Sequence, residues 1–129
     1  MIRGTTAQFK FKLPYKKSEL AWATMKFWQD GNNGTPENPL PITKRLIHCT
    51  SPEDSKELCV ELSASETMRF SDKKKAKAQL RAQTIEGKTF ASQQQLVAVY
   101  PIHDDIITDD FTETTEEDGY IILDGESIV

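Results

Sequence analysis

A chain of 129 residues suits one domain, and at this size about two thirds of the unfolded surface can be buried without disulfide or metal staples. Its formal charge of −4 hides an asymmetry: residues 1–102 hold all 16 Lys and Arg with 10 Asp and Glu, whereas residues 103–129 hold the other 10 acids and no base. No apolar run approaches the ~20 residues that span a bilayer, and residues 1–6 lack an apolar signal core, so the expected setting is the cytoplasm, or a particle packaged from it.

Taken in chain order, the body reads as β. Residues 8–13 alternate strictly, with Phe9, Phe11 and Leu13 on one face and Lys10 and Lys12 on the other, the pattern of a half-buried strand. Pro14 ends it. Residues 20–29 repeat the pattern, placing Ala21, Ala23, Met25 and Phe27 together and Trp22, Thr24, Lys26 and Trp28 opposite. Two tryptophans on the more polar face suit a partner as well as the rim of a core. Residues 30–41, rich in Gly, Pro and Asn, form a loop.

Residues 42–49 form a third strand and 57–62 a fourth, with Leu58, Val60 and Leu62 inward and Cys59 outward beside Glu57 and Glu61. Residues 63–70 read as a connector with one helical turn, Met68 and Phe70 plugging the core. Residues 72–83 have high helix propensity, yet Ala76, Ala78, Leu80 and Ala82 recur with a period of two, which only a strand gathers on one face. With Glu86-Gly87 as a turn, 76–84 and 89–99 form a hairpin, the second strand facing in through Ala91, Val97 and Val99. The expected fold is all-β, an immunoglobulin-like antiparallel β-sandwich of about six to seven strands over residues 1–102. Tyr100-Pro101 closes the last strand.

Residues 103–129 then form an acidic C-terminal arm, flexible or ordered on a partner. Its apolar anchors are Ile106-Ile107, Phe111 and Tyr120-Ile121-Ile122-Leu123, set among carboxylates such as Asp104 and Asp105. Fully extended, residues 104–129 reach roughly 90 Å, enough to meet a neighbouring subunit. Three readings stand: a solvated tail; a docking arm that adds residues 120–123 to an exposed sheet edge; and a strip folding onto the chain's own cations around Lys73, Lys74, Lys75 and Lys77.

The chemistry-bearing residues form no catalytic constellation. Cys49 and Cys59 read as reduced thiols. With His48 and His103 they lack the spacing of a zinc set. The paired carboxylates Asp104-Asp105 and Asp109-Asp110 lie on a segment that cannot hold catalytic distances. The lysine run 73–75 suits a solvated strand entry better than phosphate binding, with no aromatic platform nearby in sequence. No cofactor, metal or enzymatic activity is expected. The candidate partner-binding residues are Asp104, Asp105, Ile106, Ile107, Phe111, Tyr120, Ile121, Ile122 and Leu123, with Trp22 and Trp28.

Across residues 3–105 the chain resembles small β-sandwich proteins of tailed bacteriophages and prophages of gut bacteria. The residues that carry the resemblance begin with Arg3-Gly4-Thr5-Thr6, Leu13-Pro14-Tyr15, Ser18 and Leu20. They continue with Val60-Glu61-Leu62, Glu66-Thr67, Phe70 and Gln79-Leu80-Arg81. They end with Gly87, Ala91-Ser92, Val97, Val99 and Asp104-Asp105. The loop at 30–41 is longer than that family's turn, and the segment past Asp105 is an extension. The resemblance implies a virion accessory protein (head decoration, head-fibre base, neck or tail component) located in the virion, and in the host cytoplasm during assembly. It would bind capsid, fibre, neck or tail subunits, or itself, with no nucleic-acid or membrane partner. The alternative is a non-structural phage protein that engages a basic host factor through the acidic tail.

Overall fold

A computed structural model describes residues 1–101, 116–117 and 120–124. The elements in chain order are β1 (Ala7–Lys12), β2 (Leu20–Trp28), β3 (Ile42–Arg45), β4 (Glu57–Leu62), α1 (Ala64–Thr67), β5 (Ala76–Thr84), β6 (Thr89–Ala91), β7 (Gln95–Val97), β8 (Glu116–Glu117) and β9 (Tyr120–Asp124). They form two sheets, ordered β4-β1-β9-β8 and β3-β2-β5-β6, with β7 also on β5. The fold is an all-β sandwich. Phe9 and Phe11 of the first sheet meet Phe27 of the second at ring-centroid distances of 4.8 and 6.3 Å. Tilted and edge-on pairs like these are the favoured aromatic geometries.

The strand pattern places the core where alternation puts it: Phe9, Phe11, Met25, Phe27, Leu58, Val60, Leu62, Ala78, Leu80 and Ala82 are all buried. The ambiguous stretch 76–84 is a strand despite its helix propensity, because its period-two apolar face packs on the core and pairs with β2.

Two β-bulges correct the sequence parity. Leu20 faces Thr84 and Trp22 faces Gln83, which leaves Ala21 as an extra residue. Leu20 therefore turns inward and Ala21 is exposed, against the expectation for Ala21. Along β5, Arg81 faces Ala91 and Ala78 faces Gln95, so residues 79–80 oppose 92–94. That extra residue divides the expected strand 89–99 into β6 and β7. It also turns in Phe90 rather than Ala91 while keeping Val97 buried. Ser92 holds the bulge: its N–H donates to Leu80 O at 2.9 Å, and its buried Oγ accepts the Leu80 N–H at 3.0 Å.

Other expectations also change. β3 stops at Arg45, where residues 46–48 form a 3₁₀ turn whose His48 Nδ1 accepts the Arg45 N–H at 2.9 Å. Phe70 plugs the core, but Met68 is 48% exposed. Fully buried Thr67 takes the inward place, its Oγ1 accepting from Gly4 N at 3.0 Å and donating to Thr5 O at 2.8 Å. Cys59 points to the outer side, across from Lys10, yet is buried beneath 50–51 through bonds from Thr50 N–H to Cys59 O and from Cys59 N–H to Ser51 Oγ.

The largest revision concerns the C-terminal segment. Residues 120–124 are not a detached arm. They lie parallel beside β1, from Gln8 opposite Tyr120 to Lys12 opposite Asp124. This parallel pair departs from the expected all-antiparallel arrangement. Ile121 and Leu123 are buried in the core, and the Lys10 ammonium lies 4.8 Å from the Tyr120 ring centroid. The apolar sequence 120–123 thus finds its groove on its own chain, beside β1 rather than around Lys73 to Lys77. Asp104, Asp105, Ile106, Ile107 and Phe111 lie outside the described residues.

Candidate partner-binding face

The outer face of the second sheet collects chemistry that the sequence disperses. Along β2, alternation points Trp22, Thr24, Lys26 and Trp28 away from the core. The β5 register sets Gln83 opposite Trp22, Arg81 opposite Thr24, Gln79 opposite Lys26 and Lys77 opposite Trp28. On the other side, β3 brings Arg45 opposite Thr24 and Thr43 opposite Lys26. Lys26, Arg45, Lys77 and Arg81 therefore share one surface, and among the described strand residues of that surface there is no carboxylate.

The two tryptophans bracket this basic patch. Six residues apart on one strand, they stand about 20 Å from each other. Trp22 is 36% exposed, and its indole N–H donates to Gln83 Oε1 at 2.9 Å, which fixes the ring against the sheet. The Lys26 ammonium lies 5.2 Å from the Trp28 ring centroid, a cation–π geometry. Leu96, opposite Lys77 on β7, adds an exposed apolar contact. At the loop end, Lys77 Nζ meets Asp30 Oδ2 at 2.6 Å, and this bond holds the Asp30 carboxyl below its ordinary value. Arg81 and Arg45 make no ion pair among the described residues.

Of the sequence-predicted site residues, Trp22 and Trp28 lie on this face, whereas Tyr120, Ile121, Ile122 and Leu123 lie in the other sheet. The alternation of 22–28 already placed Lys26 with the tryptophans. Arg45, Lys77 and Arg81 were missed, because only strand pairing makes them neighbours.

The remaining reactive groups among the described residues are occupied or inert. His48 spends Nδ1 on a turn. Cys49 and Cys59 are free thiols. Burial pushes the Cys49 thiol up to about 11 and raises that of Cys59 too, so neither is an activated nucleophile. Among the described residues no cluster of three or more His, Cys, Asp or Glu could hold a metal ion. Comparison of the chain with family models, curated proteins and solved structures finds no match.

Proposed function

We propose that this chain is a binding subunit, an accessory component of a tailed-phage particle, that docks its second-sheet outer face on an acidic surface of another virion protein. The carrying observation is the patch of Lys26, Arg45 and Arg81 between Trp22 and Trp28. Rigid aromatic rings with nearby Arg are the residue types that dominate protein interfaces. A single-sign patch favours a partner of opposite sign and raises its rate of encounter. The resemblance of residues in 3–105 to small phage proteins supports the particle setting.

Two measurements test this reading. Mass spectrometry of purified particles should detect the protein, and its absence would remove the virion assignment. The double substitution Lys26→Glu/Arg81→Glu should lower incorporation or partner capture about tenfold or more, while the melting temperature changes little because both side chains are exposed. Unchanged incorporation would exclude the face.

A further inference from the structure

The strand at the centre of the second-sheet face restricts what can lie on it. Residues 24–27 of β2 pair with β3 on one side and with β5 on the other. Their backbone N–H and C=O groups are used within the sheet, so an incoming chain finds no main-chain partners there. Strand addition works only at a sheet edge. An extended segment laid across the face would lose water from part of its backbone and gain no bonds in exchange. An α-helix satisfies its own N–H and C=O groups and meets the face through side chains alone.

Exposed apolar side chains gather at the two ends of the face. One end carries Trp22. Because β3 runs antiparallel to β2, the chain past Arg45 heads toward that end. There the 3₁₀ turn Leu46–His48 lies against β2, and Ile47 is 86% exposed. At the other end the cross-strand row Trp28, Lys77, Leu96 holds Leu96 on the outer side, 57% exposed.

The uncompensated charge lies between these ends. Asp30 Oδ2 engages Lys77 Nζ at 2.6 Å beside Trp28, whereas exposed Lys26, Arg45 and Arg81 make no ion pair among the described residues. Arg45 and Arg81 flank Thr24 from β3 and β5, two strand spacings or about 10 Å apart.

We infer that the partner's docking element is an amphipathic helix of about four turns, with an apolar residue near each end and acidic residues between. This rests on the binding role proposed for the face. Trp22 and Trp28 stand about 20 Å apart, a span that a helix covers in about fourteen residues. Side chains at i and i+14 share one helix side with i+4, i+7 and i+11. Carboxylates at those middle positions meet Lys26 and the guanidinium forks of Arg45 and Arg81, which bind carboxylate bidentately. An acid at the Trp28 end would instead face Asp30, so like-charge repulsion fixes the acids in the middle.

The chain's two tryptophans both lie on this face, so intrinsic fluorescence of the full chain reports on it directly. The probe is a capped alanine-based peptide with two leucines fourteen positions apart and glutamate at the fourth, seventh and eleventh positions after the first leucine. One comparison peptide carries a central proline, which breaks the helix, and another has the leucines seven positions apart. A third is the chain's own acidic sequence 103–112. The helical probe should give a saturable response below millimolar concentration, and the proline and short-spaced peptides should bind about tenfold or more weakly. Leu96→Ser should weaken the helical probe severalfold, and Arg45→Glu/Arg81→Glu should abolish its binding. No saturable response to the helical probe, equal binding by the proline peptide, or tighter binding of 103–112 overturns the helix. Equal binding by the proline peptide leaves the face itself standing, whereas incorporation unaffected by Lys26→Glu/Arg81→Glu removes the face.

Discussion

Single residues carry more of this fold than their neighbours suggest. Ser92 is fully buried, and its Oγ is the acceptor for the Leu80 N–H. Ser92→Ala leaves that N–H buried without a partner, at an expected cost of about 1–3 kcal/mol. Chemical denaturation should show the loss, and an unchanged midpoint would mean that the bulge satisfies Leu80 in another way. The Lys77–Asp30 contact makes a pH prediction. Asp30 is depressed in the fold chiefly by its hydrogen bond from Lys77, so the stabilisation it brings is present above the ordinary aspartate value and is lost as pH falls through the depressed folded value. An NMR titration should place the Asp30 midpoint below that of an ordinary aspartate and return it upward in Lys77→Ala. Because Asp30 is exposed, the melting temperature should hardly respond.

At the scale of elements, β9 tests whether the C-terminal segment belongs to the body. Leu123 is buried, whereas Ile122 points to the outer side and is only half-buried. Leu123→Ala should cost about 2–5 kcal/mol and Ile122→Ala clearly less. A detached arm would make both substitutions silent, so equal melting temperatures for the two variants and the parent protein would refute the β1–β9 pairing. The bulges act at the same scale. Each inserts one residue and reverses the inward parity of the strand beyond it, which explains why strict alternation misassigned Ala21 and Ala91 but correctly placed the continuous runs 23–28 and 76–84. A bulge leaves little trace in a single sequence, since Ala21 and Ser92 are ordinary strand residues.

Across the whole molecule, the charge asymmetry is reshaped by folding. Part of the acidic segment returns to β1 and lends its apolar residues to the core, while the opposite sheet presents cations and tryptophans outward. A partner held by those cations should bind more weakly as salt rises, since exposed charges are screened within a Debye length of about 8 Å at physiological ionic strength. Binding of the second-sheet face that is insensitive to salt would assign its affinity to Trp22 and Trp28 alone.

The sequence by itself determined the all-β character, the inward faces of β1, β4 and β5, the helical turn at α1 and the polarity of the two ends. These follow from local periodicity and composition, which act over a few residues. Only the tertiary structure decided which strands are neighbours. It set Arg81 and Arg45 beside Thr24, placed the Arg69 guanidinium over the 30–41 loop, and returned residues 120–124 to the edge of β1. Those contacts join residues about twenty to more than a hundred positions apart. They are fixed by burial of shared apolar faces and by backbone hydrogen bonds between strands, and neither leaves a periodic mark in the chain.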